Sequence, residues 1–267
     1  MNGLFITFEG VDGSGKTTQL QRLNAYVMSL GRNALVTREP GGTSAGLVIR
    51  ELLLHGISSF PSLAVLGASD VVEHGSDLND KAEALLYAAD RAQHVNEVIR
   101  PALDRGDVVL CDRYIDSSLA YQAGGRELRD SKILDISTWA TDGLMPRRTY
   151  LMDMDPAESH KRLEHQLDRI EVEGSDFQNR TRERFLELAQ GDPQRYLIID
   201  ANQSVEAIWQ IVHDDFDALI AQDGSSDEPA DSGSAAEGES AVLGEMKQGM
   251  KKVSSSDPDN VSIEVGE

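Results

Sequence analysis

Short apolar runs alternate with stretches of helical periodicity along most of the chain. The runs at 4–8, 34–37, 107–111, 149–153 and 196–199 are typical of buried strands. Between them, apolar residues recur every three or four positions, which predicts helices at 16–30, 44–55, 80–104, 117–122, 131–142, from Pro156 onward and from 205 to about 220. This alternation predicts an α/β fold with a parallel sheet of about five strands, covered by helices on both faces.

Two segments break the pattern. Residues 56–79 mix apolar and turn residues without a period, and a structureless loop of that length is uncommon inside a compact domain. We predict an insertion with local packing of its own. Residues 223–267 contain no aromatic residue and hold 11 acidic against 3 basic side chains, too little apolar surface to offset chain entropy. The prediction is one folded domain over 1–222 and a disordered acidic tail over 223–267.

The charge balance limits the partners. The formal net charge is −21, and the part before the tail is acidic as well. An acidic surface argues against nucleic acid or an anionic membrane as a partner, so polyanionic ligands must meet local arginine clusters. The single cysteine, Cys111, excludes an intramolecular disulfide, and no run of 18 apolar residues occurs. We expect a soluble cytoplasmic protein.

One loop carries the strongest chemical signal. Residues 10–17, GVDGSGKT, fit the phosphate-loop pattern G-x-x-x-x-G-K-[ST] between a strand and a helix. The glycines let backbone N–H groups point inward at the helix start, where the helix dipole favours an anion. Lys16 can reach the β- and γ-phosphates, and the Thr17 hydroxyl can take a Mg²⁺ position. The predicted triphosphate-binding residues are Gly10, Val11, Asp12, Gly13, Ser14, Gly15, Lys16 and Thr17.

Polar residues also follow two other strands, at the sheet edge where parallel sheets bind ligands. Arg38 and Glu39 follow the strand 34–37, although a solvated turn is the alternative interpretation. Asp112 follows the strand 107–111 and is a candidate for the Mg²⁺ shell together with Thr17. Arg113 would then face the phosphates.

Tyr87 and Arg91 lie four residues apart on one face of the predicted helix 80–104, so they can address one ligand together. From these two residues alone, an aromatic at the core edge beside a surface arginine is the simpler interpretation.

Six segments together resemble the thymidylate kinase family: EGVDGSGKTT, TREPGGT, EALLYAADRAQHV, CDRYIDSSLAYQAGGR, LDRIE and IDANQS. Many families share the phosphate loop, but TREPGGT with DRY and AYQ is far more specific. The resemblance covers most of residues 3–220 and leaves out the segment 56–79 and the tail. It implies a phosphate-loop NTPase fold with a lid, transfer of the γ-phosphoryl group of ATP to dTMP, Mg²⁺ as cofactor and a homodimer.

The resemblance also implies roles for individual residues. Tyr87 would stack on thymine, Arg91 would bond the base edge, and Tyr121 would crowd the sugar against a 2′-hydroxyl. The arginines around the acceptor phosphate would be Arg38, Arg50 and Arg113. The whole implied substrate set is Asp12, Arg38, Glu39, Arg50, Tyr87, Arg91, Arg113, Ser118, Tyr121 and Gln122. The segment 200–204 resembles the loop near adenine.

In this family, members with an arginine in the phosphate loop have a lid that is poor in basic residues. Members without that arginine have arginines in the lid instead. Gly13 occupies that loop position here, so the lid run KRLEHQLDRIE is expected to supply the charge. On a continuous helix, Arg162 and Arg169 would share one face two turns apart. Arg169 is the preferred residue, since Arg162 can instead pair with Glu158. The predicted catalytic set is Lys16, Arg38, Arg113, Arg169 and Arg162.

Two other functions stay open from sequence. Another nucleotide kinase would share the phosphate loop, but the pair at 87 and 91 with Tyr121 and Gln122 suits a pyrimidine deoxynucleotide. A regulatory nucleotide switch would bind without transferring phosphate. A GTP switch normally carries an NKxD motif, and no Asn of this chain is followed by Lys.

Overall fold

The computed structural model of the chain describes residues 3–56, 59–60, 78–163 and 167–225. Its centre is an all-parallel five-stranded sheet in the order β2-β3-β1-β4-β5. The strands are β1 (Leu4–Glu9), β2 (Ala34–Arg38), β3 (Val108–Asp112), β4 (Arg148–Asp153) and β5 (Tyr196–Asp200). The predicted α/β class and strand number are confirmed.

Helices connect these strands within the described residues. They are α1 (Lys16–Ser29), α2 (Ser44–His55), α3 (Asp80–His94), α4 (Arg100–Asp104), α5 (Ile115–Ser118), α6 (Asp130–Thr141), α7 (Pro156–His160), α8 (Ser175–Gly191) and α9 (Val205–Ser225). In the described ranges, no helix is long and apolar enough to span a bilayer.

The strands are buried on both faces, which is why they read as continuous apolar runs. Successive side chains of a strand point to opposite faces, so Leu4, Ile6 and Phe8 pack with α1 and α9 while Phe5 packs with the helices of the other face. Each face of the sheet therefore has its own hydrophobic cluster, covered by a layer of helices. The carboxyl end of the sheet is left for the loops.

The predicted helix 80–104 is confirmed, with a wider turn inside it. Residues Val95–Ile99 are π-helical and lie between α3 and α4. Pro101 follows at once and has no N–H to donate back along the helix, which explains the local change of pitch. A second π-helical segment, Leu119–Gly125, continues α5 where the sequence predicted a helix over 117–122.

The prediction of one charged helix from Pro156 through Glu171 is wrong. Helix α7 ends at His160, and the chain turns again at 169–173. Asp168 accepts hydrogen bonds from the N–H groups of Ile170 and Glu171, while the Glu171 carboxylate accepts from the Asp168 N–H. These reciprocal bonds start a new turn at Asp168.

Helix α8 was missed by the sequence analysis. Its charge density masked the buried positions Phe177, Phe185 and Leu188, which pack against the π-helical segment and the sheet. Most of the predicted insertion 56–79 and the tail from 226 lie outside the described residues. The described helix α9 extends to Ser225, three residues past the predicted domain boundary.

Candidate active site

A pocket of about 450 Å³ opens at the carboxyl end of the sheet, between the phosphate loop, α2, α3 and the DRY segment. It brings together most of the side chains that the sequence analysis selected. The predicted residues that line it are Asp12, Gly13, Gly15, Lys16, Thr17, Arg38, Glu39, Arg50, Tyr87, Arg91, Asp112, Arg113, Ser118, Tyr121 and Gln122. Gly10, Val11, Ser14, Arg162 and Arg169 do not line it.

The phosphate loop has the backbone shape that its glycines predict. Gly10, Gly13 and Gly15 all have positive φ, at 130°, 79° and 90°, which side-chain-bearing residues rarely adopt. Lys16 folds back so that its Nζ donates to the carbonyl oxygens of Gly10 and Val11, at 3.0 and 2.8 Å. Burial and the nearby Arg113 charge lower the pKa of Lys16. A phosphate beside this ammonium would favour its charged form and raise the pKa again.

Asp12 and Arg113 form an ion pair across the pocket, with Nη2 of Arg113 2.5 Å from Oδ1 of Asp12. Burial opposes ionisation of Asp12, but the charges of Arg113 and Lys16 outweigh it and lower its pKa to about 2. Arg113 has a φ of 69°, which turns its side chain back over the phosphate loop from the end of β3. Its guanidinium also lies 5.2 Å from the ring centroid of Tyr121.

Thr17 and Asp112 meet at the head of α1, where the Thr17 hydroxyl donates to Oδ2 of Asp112 at 2.9 Å. A hydroxyl and a single carboxylate suit Mg²⁺, which takes one or two protein oxygens and completes its shell with water and phosphate. The described residues hold no cluster of three acidic, His or Cys ligands. Such a cage is not needed for a magnesium ion that arrives with a nucleotide.

Arg38 and Arg50 place positive charge on the other wall. Arg38 ends β2 and has no hydrogen-bond or ion-pair partner for its side chain among the described residues. Arg50 of α2 donates to the Pro40 carbonyl at 2.9 Å. Burial and the like charge of Arg38 lower the pKa of Arg50. Two cations held close together without a carboxylate partner favour an anionic ligand between them.

Tyr87 and Arg91 both line the far end of the pocket, as the family resemblance implied, but Arg91 is less available than expected. It is fully buried, and its guanidinium donates to Glu39 at 2.7 Å, Ser118 at 3.0 Å, the Tyr114 carbonyl at 3.1 Å and Ser137 at 3.3 Å. A guanidinium has five N–H donors, so one remains for a ligand.

Tyr121 lies between the base end and the phosphate end of the pocket. Its ring packs edge-on against Phe185 at 6.0 Å between centroids, and its hydroxyl donates to Asp12 at 3.4 Å. The ring is therefore fixed by neighbours on two sides. A rigid aromatic at this point can restrict the shape of a sugar.

Neither lid arginine lines the pocket, and the two contact different parts of the fold, because the charged helix that would have aligned them does not form. Arg162 donates to the Ala201 carbonyl at 3.2 Å, beside the segment that resembles an adenine loop. Glu158 pairs with Lys161 instead. Arg169 is fixed by the Leu53 carbonyl at 2.9 Å and by the carboxylate of Glu83.

Glu9 is a buried residue behind the pocket that sequence analysis missed. It ends β1, is fully buried, and accepts hydrogen bonds from the Tyr114 N–H at 2.7 Å and the Ser117 hydroxyl at 2.6 Å. Burial, with the nearby Asp116 charge, raises the pKa of Glu9 to about 8. The sequence did contain one sign of this role: a charged residue stands at the end of an apolar strand, just before the phosphate loop. The residues that line the pocket and were not predicted are Thr18, Pro40, Leu54, Tyr114, Ser117, Asp168, Ile170 and Glu171.

A glycine loop between a strand and a helix, a lysine inside it, a threonine–aspartate oxygen pair and an opposing arginine wall define a class of protein. The fold and the site are those of a phosphate-loop enzyme that transfers a phosphoryl group between two nucleotides.

Comparison with known proteins narrows this class. The sequence profile of the thymidylate kinase family matches residues 8–78 and 68–212. The thymidylate kinase of Bifidobacterium longum (strain DJO10A) is 58% identical over 219 residues, 82% of this chain and 100% of that protein. That of Clavibacter michiganensis subsp. michiganensis is 44% identical over 229 residues, 85% of this chain and 100% of that protein.

A solved structure agrees with the sequence comparisons. The crystal structure of thymidylate kinase from Ehrlichia chaffeensis superposes with a TM-score of 0.60 at 28% identity, over 81% of this chain and 99% of that one. The chain belongs to the thymidylate kinase family.

Proposed function

We propose that the protein transfers the γ-phosphoryl group of ATP to dTMP, giving dTDP and ADP. The observation that carries this proposal is the division of the pocket into two charged walls. The phosphate loop with Lys16 suits the triphosphate, and Arg38 with Arg50 suits a second phosphate opposite. Membership of the family supplies the identity of the nucleotides.

In this proposal the arginines bring two anions together, which is the main obstacle to the reaction. The acceptor phosphate is already largely ionised at neutral pH because its second pKa is near 6, so no strong general base is needed. Arg38 and Arg50 bind the acceptor phosphate, Arg113 faces the transferring group, and Lys16 holds the donor phosphates. No residue is assigned the role of proton acceptor.

Thr17 and Asp112 are proposed to hold Mg²⁺ when it arrives with ATP. The bound ion supplies charge neutralisation between the β- and γ-phosphates. The 2.9 Å contact between their oxygens supports the assignment, because both groups already point to one place. The protein's own part is to orient those oxygens and to keep the lysine and arginines around them.

The acceptor side is proposed to select a thymine deoxynucleotide. Tyr87 offers a ring face for stacking, Tyr121 restricts the sugar, and the polar groups of Arg91, Ser118 and Gln122 meet the base edge. A site that hydrogen-bonds one base edge penalises bases that leave its buried groups unpaired.

A coupled assay of ADP formation with dTMP, dUMP, dCMP, dAMP and dGMP tests the proposal. We expect dTMP to be the best acceptor, and Arg38→Ala to raise the KM for dTMP more than the KM for ATP. Equal turnover of dCMP or dGMP would favour the alternative of a broad nucleotide kinase. Binding of ATP without transfer to any acceptor would favour a regulatory switch.

We also propose that the protein acts as a homodimer. Exposed apolar side chains lie on three helices that pack side by side, α2, α3 and α6: Leu47 is 52% exposed, Val48 59%, Leu85 58% and Trp139 82%. Large exposed apolar side chains on neighbouring helices are consistent with a protein–protein interface. Light scattering should give a dimer mass for the full chain and a monomer mass for the variant Val48→Glu with Trp139→Glu.

A cytoplasmic location completes the proposal. Cys111 is buried at the end of β3 and is not part of a disulfide, which suits a reducing compartment. Fractionation of cells that express the protein should recover it with cytoplasmic markers.

A further inference from the structure

Glu83 is a buried carboxylate behind the base end of the pocket, outside the set of lining residues. It lies in the first turn of α3 and is fully buried. Its Oε1 accepts from Nε2 of Gln122 at 3.0 Å and, at the longer distance of 3.4 Å, from Nε of Arg126. Its Oε2 accepts from Nη2 of Arg126 at 3.1 Å and from Nη2 of Arg169. Gln122 thus makes the shortest contact of one oxygen, and the other oxygen takes the shorter bonds of the two arginines.

Glu83 is held in its ionised form by these neighbours. Burial opposes ionisation, but the hydrogen bonds from Gln122, Arg169 and Arg126 outweigh it and lower the pKa of the carboxyl. A carboxylate has acceptors and no donor. Gln122 must therefore turn its NH₂ group toward Glu83.

This constraint decides what Gln122 offers to a ligand. Its bond to Glu83 is the one hydrogen bond of its side chain in the described part of the chain. With the NH₂ group turned away, the amide oxygen is the group that remains for the pocket, which Gln122 lines. Gln122 becomes a hydrogen-bond acceptor of fixed orientation.

An acceptor at this point distinguishes the two pyrimidines. Thymine and uracil carry an N–H donor at N3, whereas N3 of cytosine is an acceptor and its exocyclic group at C4 is a donor. An acceptor therefore pairs with thymine or uracil and opposes cytosine. We propose that Glu83 is a positioning residue for base selection, which locks the Gln122 amide with its oxygen toward N3 of the acceptor base.

The substitution Glu83→Gln should reverse this polarity without changing the size of the side chain. Nη2 of Arg126 and Nη2 of Arg169 both donate to Oε2 and make the shorter bonds, so the new amide would place its oxygen on that side and give up the 3.4 Å contact with Nε of Arg126. Its NH₂ group would then face Gln122, whose amide must turn its oxygen to accept. The NH₂ group of Gln122 would be presented to the base, where it suits N3 of cytosine.

The experiment measures kcat/KM of Glu83→Gln with dTMP, dUMP and dCMP. The ratio of dTMP to dCMP should fall about tenfold or more, while the ratio of dTMP to dUMP should stay within about twofold, because these two bases share the same edge. A merely structural role would lower all three values together and leave both ratios unchanged. That result would overturn the proposal.

Arg126→Ala is the matched control. It removes a partner of the same carboxylate but leaves the contact between Glu83 and Gln122, so both ratios should stay near those of the unmodified chain. A fall in its dTMP to dCMP ratio equal to that of Glu83→Gln would contradict the assignment to Gln122 orientation.

A ligand-side test needs no variant. An analogue of dTMP with C–H in place of N3–H should bind the unmodified protein about tenfold or more weaker than dTMP in calorimetry. Equal affinity would overturn the proposal. The inference rests on dTMP phosphorylation, and failure of that activity is distinguishable because the unmodified chain would then not turn over dTMP.

Discussion

The phosphate loop and the lid are both placed near the phosphates by sequence analysis, yet they are held in different ways. The loop is fixed locally, by three glycines with positive φ and a lysine folded onto two loop carbonyls. The described part of the lid is fixed by distant partners: the Leu53 and Leu54 carbonyls and Glu83 hold Arg169, and Ala201 holds Arg162. A conformation that is set by neighbouring residues can be predicted from the sequence, whereas contacts with residues distant in the chain can be identified only once the fold is known.

Two buried glutamates show the same contrast in their electrostatics. Glu9 supports the DRY segment beside the loop, and burial raises its pKa to about 8. Glu83 anchors the lid, and its hydrogen-bond donors lower its pKa despite burial. The first therefore favours a proton in the folded state, and the second excludes one.

The largest expected effect is at the loop. Lys16→Met removes the ammonium of the phosphate loop, which is placed to reach the donor phosphates, and we expect kcat to fall by about 10³ or more. Steady-state rates at saturating ATP and dTMP measure this, with the melting temperature as a check on folding. A loss of less than about tenfold would show that the arginine wall, and not the loop, neutralises the transferring group.

The next effect tests the contact between loop and lid. A Cβ added at Gly13 would lie 2.5 Å from the Ser159 carbonyl oxygen of α7, at a φ of +79°. Gly31→Ala is the matched control, since its φ is +74° and its Cβ would meet no described atom within 4 Å. We expect Gly13→Ala to lose about 1–3 kcal/mol more of unfolding free energy than Gly31→Ala.

Chemical denaturation measures both variants. Equal losses of unfolding free energy would mean that α7 can move away from the added Cβ without an energetic cost. The same close approach explains why this loop geometry does not accommodate an arginine at position 13.

The two glutamates predict opposite pH dependences. Glu9 loses its proton near its ordinary value of 4.5 when unfolded but near 8 when folded, so its contribution to stability falls as pH rises between these values. Glu83 contributes stability above its unfolded pKa and loses it as pH falls through the lower folded value. Denaturation between about pH 5 and pH 8 should show a decline that Glu9→Gln flattens. An unchanged slope would contradict the raised pKa.

The sheet, the phosphate loop and the pairing of Thr17 with Asp112 were all predictable, because each follows from local patterns and from strand ends meeting at one edge. The roles of Glu83 and Glu9 were not, since a glutamate in an amphipathic helix or at a strand end gives no sign of its distant donors. The lid was misread for a related reason. Its charge pattern suits a helix, but the reciprocal bonds of Asp168 and Glu171 start a new turn.

The smallest effects are expected from the two lid arginines, and they separate the alternatives for this region. The sequence pattern alone predicts that Arg169→Ala lowers kcat at least a hundredfold. Arg169 is held by Glu83 and the Leu53 carbonyl and does not line the pocket, so we expect a loss of kcat below about tenfold and a loss of about 2 kcal/mol in unfolding free energy. Arg162→Ala should change both values less, because its described contact is one bond to the Ala201 carbonyl. Rates and denaturation curves for both variants measure the difference. A hundredfold fall in kcat for Arg169→Ala at unchanged stability would mean that the lid releases Arg169 from Glu83 during turnover and carries it to the phosphates.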